Sequence, residues 1–171
     1  MDMTTVSGKT FRIGDPFNST ISLLDIAHSL SNICRYNGHL QQFYSVAEHS
    51  VYVSHLVPQE YALPALLHDA AEAYMGDITR PIRSVLGPQV QELENLLNSA
   101  ITAHFALDIP VDHEVILEVD NQMTSLERPE WEMDCRLKRE GFHLSVGYWH
   151  PFTAKNRFIQ RYQELLRAKS A

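Results

Sequence analysis

The chain has 171 residues, 44% of them apolar and 20% charged, which suits one globular domain with its own core (residues 1–171) and leaves no room for two ordinary ones. A net charge of −7 argues against a protein that grips the backbone of polymeric nucleic acid, although a few local cations suffice for one small phosphate ligand. No window is apolar enough for long enough to cross a membrane, and Met1 to Thr10 lack the apolar core of a secretory signal, so no membrane partner and a cytoplasmic location are expected.

The first fourteen residues read as an extended segment, with a strand around Phe11 and Ile13, before Asp15-Pro16 marks a turn. Leu23, Ile26, Ala27, Leu30, Ile33 and Cys34 then share one helical face, with Ser22 as the expected cap. Arg35 to Phe43, containing Asn37-Gly38, reads as a loop. Ser45-Val46-Ala47-Glu48 is a capping-box pattern opening a helix to about Val57, where Pro58 stops it. A single helix is expected over Gln59 to Met75, ended by Gly76. A loop with Pro81 and Gly87-Pro88 leads to a stripe of Val90, Leu93, Leu97, Ala100, Ile101 and His104. Asp112 opens the next helix, with Val115, Ile116, Val119, Met123 and Leu126 on its core face before Pro129. From Pro151 the periodicity returns through Phe158, Ile159, Tyr162, Leu165 and Leu166. The expected fold class is all-α, a compact single-domain helical bundle. Cys34 and Cys135 have no paired spacing and read as ordinary reduced thiols.

The most informative stretch is Leu66-Leu67-His68-Asp69-Ala70-Ala71-Glu72, because three ionisable groups interrupt an otherwise apolar, alanine-rich helix. Burying them is costly unless they are paired or bound to a metal. Asp120 lies within or beside the apolar stripe of its helix, and His49 points inward one turn from Val53. Each alone has a bland explanation in a satisfied core group. Together they offer two imidazoles and two carboxylates from three helices, a set suited to one divalent transition metal such as Mn, Fe, Co, Ni or Zn.

In this order and at these intervals the blocks Ser45-Val46-Ala47-Glu48-His49-Ser50, His68-Asp69-Ala70-Ala71-Glu72 and Gly76-Asp77-Ile78-Thr79-Arg80-Pro81-Ile82-Arg83, with the isolated Asp120, resemble the HD-domain phosphohydrolases. The nearer likeness is to the branch with bacterial 5'-deoxynucleotidases and phage dATP triphosphohydrolases, and it runs from about Phe11 to Leu166. The resemblance implies His49, His68, Asp69 and Asp120 as metal ligands. It implies Glu72 and Asp77 as the acidic groups that handle the attacking water and leaving oxygen, their roles undivided. It implies Arg35 as a phosphate grip, Tyr36 as a surface for the base, and Arg83 as a forked donor where the family usually carries lysine. Tyr36 and Gly38 depart from the family's tryptophan and bulkier residue, and the interval from Arg35 to His49 is one shorter, which bears on base selectivity. Glu48 is taken up by the capping box. His28, His39, His55, His104, His113, His143 and His150 lack the spacing of the set.

The activity that the resemblance implies is hydrolysis of deoxynucleotide 5'-phosphoesters, in nucleotide metabolism. The favoured reaction is dATP to deoxyadenosine and triphosphate, with a second ion accompanying a triphosphate and the host cytoplasm as location if the chain is phage-encoded. A deoxynucleoside 5'-monophosphatase with relaxed base preference is the alternative, and a non-catalytic nucleotide or metal sensor is the alternative of another class. Self-association into a homo-oligomer is also expected.

Overall fold

A computed structural model describes residues 2–128, 140 and 144–169; Pro129, Cys135 and His143 lie outside them. The described residues are mostly helical, as the periodicity predicts, and no helix among them is long and apolar enough to cross a membrane.

The N-terminal segment is a hairpin. Strands β1 (Asp2–Thr4) and β2 (Thr10–Arg12) pair antiparallel with Met3 opposite Phe11, and Gly8 supplies the positive φ the connection requires. Phe11 is buried and stacks on Tyr74 with ring centroids 3.7 Å apart. The connecting loop is tied to the first helix, α1 (Leu23–Asn32), through buried Asp25, which accepts from the Thr5 hydroxyl at 3.0 Å, the Ser7 amide at 2.9 Å and the Ser7 hydroxyl at 2.8 Å.

Ser22 stands at the N-cap of α1 in extended backbone without making a side-chain cap bond. Ser45 does cap α2 (Val46–Leu56), accepting from the Glu48 amide at 3.1 Å. The reciprocal half of the capping box is not formed. The buried Glu48 carboxylate instead accepts from the Tyr52 hydroxyl at 3.0 Å, the Gly147 amide at 2.8 Å and the Trp149 amide at 2.7 Å.

The single helix expected over 59–75 is broken. A 3-10 turn (Gln59–Tyr61) runs into α3 (Ala62–Leu66), turns occupy residues 67–71, and α4 (Glu72–Met75) follows. Leu67, Ala70 and Glu72 donate to carbonyls three residues back, and His68 Nδ1 donates to the Ala65 carbonyl at 2.8 Å. A side chain thus takes a carbonyl of the preceding turn, and the backbone tightens where helix propensity favoured continuity.

Residues 80–86, expected as loop, form α5 (Arg80–Leu86), with Pro81 in the first turn where its missing N–H costs nothing. Gly87, at φ 84, separates it from α6 (Pro88–His104), whose Leu97, Ala100 and Ile101 are buried while His104 is exposed. The next helix, α7 (Glu114–Glu127), is capped by His113 in place of the expected Asp112, its Nδ1 accepting from the Val115 amide at 3.2 Å. In α8 (Pro151–Lys169), Ala154, Phe158 and Leu165 are buried against α1, α2 and α3. Since α7 also packs on α2, the second helix lies at the centre and carries His49 into the core.

Candidate metal and anion site

His49, His68, Asp69 and Asp120 meet where α2, the 67–71 turns and α7 converge. The two Nε2 atoms are 3.3 Å apart. Asp120 Oδ1 lies 3.0 Å from His49 Nε2 and 3.8 Å from His68 Nε2, while the two Asp69 oxygens lie 3.5 Å from His49 Nε2 and 3.2 Å from His68 Nε2. His49, His68 and Asp69 form a compact group able to hold a cation, and Asp120 Oδ1 approaches it nearest at His49. Consecutive residues on a regular helix point about 100° apart. The tightened turns let His68 and Asp69 serve one centre.

The protonation pattern is set from behind. His49 Nδ1 lies 2.6 Å from Glu127 Oε1 and His68 Nδ1 lies 2.8 Å from the Ala65 carbonyl. Both partners only accept, so both Nδ1 atoms carry the proton and both Nε2 lone pairs turn inward. Burial and Arg35 act to lower the His49 pKa, but Glu127 and Asp120 outweigh them and raise it. Burial likewise opposes charge on His68, yet Asp69 and Asp120 raise it well above the usual imidazole range. Against its own burial, Asp120 is held well below the carboxylate range by the two histidines, and Asp69 is lowered chiefly by His68. Two inward Nε2 atoms beside two ionised carboxylates favour positive charge at the centre, carried by protons on the imidazoles or by a cation that replaces them. Right-angle or tetrahedral ligands on an ion at roughly 2.1 Å stand about 3.0–3.4 Å apart, a range that holds the 3.0, 3.2 and 3.3 Å spacings, while those of 3.5 and 3.8 Å are longer. Asp69 Oδ2, buried and without a hydrogen-bond partner among the described residues, is the atom such an ion would satisfy.

The cluster opens on a cavity of about 490 Å³ whose wall includes Arg35, Tyr36, Glu72, Asp77, Arg80 and Arg83. Glu72 is buried with Oε2 unpartnered among the described residues; burial first, then Asp69 and Asp77, push its pKa well up. Burial also raises Asp77, against the pull of Arg35. Arg35 Nη1 lies 3.7 Å from Asp69 Oδ2, so this cation borders the cluster.

Of two expected substrate residues, Arg83 lines the cavity with its donors already engaged and Gly38 lies off it. Arg83 gives its fork to Glu94, with Nη2 to Oε1 at 2.7 Å and Nη1 to Oε2, and its Nε to the Ile78 carbonyl at 2.7 Å. Gly38 does not line the cavity; its φ of 76 closes the Arg35–Gly38 turn, 3.5 Å from Cys34 Sγ for an added Cβ. Of the unassigned histidines, the six among the described residues do not border the cavity.

Glu127 escaped the sequence reading. It is fully buried and accepts from His49, from the Tyr44 hydroxyl at 2.6 Å, from Arg35 Nε at 3.3 Å and from the Tyr36 hydroxyl. Burial opposes its charge, but Arg35 and His49 hold its pKa down at about 2. The available signal was spacing, since Glu127 lies seven residues after Asp120 and so on nearly the same face of α7.

No family model matches the chain. Uncharacterized protein YfdR of Escherichia coli (strain K12) is 43% identical to it over 130 residues, covering 76% of this chain and 72% of that protein. An uncharacterized protein of Rhodobacter capsulatus is 36% identical over 111 residues, covering 60% of this chain and 57% of that protein. Neither name carries an activity.

Proposed function

We propose, for a chain that belongs to the family of Escherichia coli YfdR, a divalent-metal-dependent hydrolase of deoxynucleotide 5'-phosphoesters, with the HD-type arrangement that its motifs resemble. The observation that carries the reading is the pair of histidines that both give up Nδ1 to acceptors and face each other through Nε2 at 3.3 Å, with Asp69 and Asp120 beside them. His49, His68, Asp69 and Asp120 would hold the ion. An ion so placed supplies a water of lowered pKa and positive charge against the phosphoryl oxygens.

The chain's own groups divide the remaining work. Glu72, disposed by burial and its acidic neighbours to keep a proton, faces the cavity as the donor for the leaving oxygen. Asp77 stands beside it to orient water. Arg35, in the cavity wall beside the cluster, would hold a phosphate there, with the Tyr36 ring next to it for the base.

dATP cleavage to deoxyadenosine and triphosphate is the leading reaction. One observation favours the monophosphatase alternative: Arg83 is already paired with Glu94, and along the wall carboxylates outnumber Arg35, Arg80 and Arg83, which suits a short phosphate over a long one. Incubation with dATP and with dAMP in Mn or Co decides between them. Deoxyadenosine with intact triphosphate supports the first, and cleavage of dAMP with dATP inert supports the second. Nucleotide binding without turnover under several metals would make the chain a sensor.

A further inference from the structure

The cluster and the cavity wall meet at one carboxylate that touches neither the cavity nor the cluster's centre. The Glu127 side chain is fully buried, with His49 Nδ1 and the Tyr44 hydroxyl on Oε1 and Arg35 and the Tyr36 hydroxyl on Oε2. A plain core ion pair would need only Arg35. Here the same carboxylate also fixes an imidazole and anchors the strained turn in which Tyr36 and Asn37 adopt φ of 57 and 51, a conformation that non-glycine residues hold only when their surroundings enforce it.

We infer that Glu127 is a positioning residue joining the two halves of the site: Oε1 holds His49 with Nε2 bare and aimed at the cluster, while Oε2 holds Arg35 and Tyr36 at the cavity wall. The inference rests on the metal reading proposed above. A carboxylate behind a ligating histidine fixes its ring and raises its basicity, and losing such a partner typically weakens metal binding ~10–100-fold. Because one group serves both halves, its loss also releases the phosphate-side arginine.

The test is Glu127→Gln, which keeps size and shape but turns one acceptor oxygen into a donor facing either His49 or the Arg35 and Tyr36 pair. Cobalt titrated calorimetrically into metal-free protein should bind ~10–100-fold more weakly to a variant that still melts cooperatively, with a changed visible cobalt spectrum. Should the variant fail to fold, the parent chain supplies a second readout. Loaded with zinc, its long-range proton–nitrogen correlations should show His49 protonated at Nδ1 and ligated through Nε2. A folded variant with the parent's cobalt affinity and spectrum, or a parent with His49 bare at Nδ1, overturns the inference and leaves the metal reading standing. A parent that binds no divalent ion overturns both.

Discussion

Arg83 and Glu94 show how a cavity's charge can be tuned by a single contact. The guanidinium lines the cavity, yet its two forked nitrogens face a carboxylate that lines the same wall, with Gln91 Nε2 3.2 Å from Glu94 Oε2. An entering anion competes with Glu94 for this fork. Both side chains are partly exposed, at 24% and 18%, but the contact is a bidentate fork, so the pair is worth on the order of 1 kcal/mol. Glu94→Gln is expected to lower KM for dATP on the order of threefold while leaving dAMP nearly unchanged, because only a longer phosphate chain reaches Arg83. Steady-state kinetics on the two nucleotides check it; equal effects on both would place Arg83 outside the phosphate path. Arg35 is different, since Glu127 holds it from behind while Nη1 still faces the cluster.

At the scale of elements, Glu48 replaces a local cap by a long-range tie. It sits in the first turn of α2 and collects two amides from the segment before α8, ninety-nine and one hundred and one residues away. Glu48→Ala leaves the Trp149 amide and the Tyr52 hydroxyl without their acceptor, while the Gly147 amide keeps the Tyr52 oxygen at 3.1 Å, and a loss of about 1–3 kcal/mol is expected in urea unfolding. An unchanged midpoint would mean that the ring contacts of Tyr148 with Tyr44 and of Trp149 with Tyr52 and Arg157 suffice to hold the segment. The same residue marks the limit of the sequence reading. Serine, then glutamate three positions on, is the capping-box pattern, and nothing local says that the carboxylate turns to a partner a hundred residues away. Helical periodicity placed α1, α2, α6, α7 and α8, because each buries one stripe. It failed over 59–75, where alanine-rich sequence favours continuity and the decisive bond is His68 to the Ala65 carbonyl. The four clustered residues were legible because buried charge on apolar stripes is costly. Glu127 was not, since an acidic residue at a helix end before Pro129 reads as solvent-facing.

For the whole molecule, the clustered groups come from three parts of the chain, so whatever they hold links α2, the 67–71 turns and α7. A metal that binds only this assembled geometry stabilises the fold through mass action, by ~2.7 kcal/mol at a free concentration one hundred times Kd. The melting temperature should therefore climb with added cobalt or manganese and fall with a chelator, whereas His68→Ala should melt at the same temperature in both. A parent chain indifferent to metal would leave the cluster held by protons alone. The N-terminal hairpin has a related consequence in time. Its deep apolar anchor is the Phe11 ring on Tyr74, and Tyr74 belongs to the four-residue helix that begins with Glu72. A two-stranded ribbon opens far more often than a packed helix. Each opening would uncover one face of Tyr74, so amide exchange across residues 72–76 is expected to follow the rhythm of the chain's first dozen residues, and the buried Glu72 carboxyl that begins this helix to be only as still as they are.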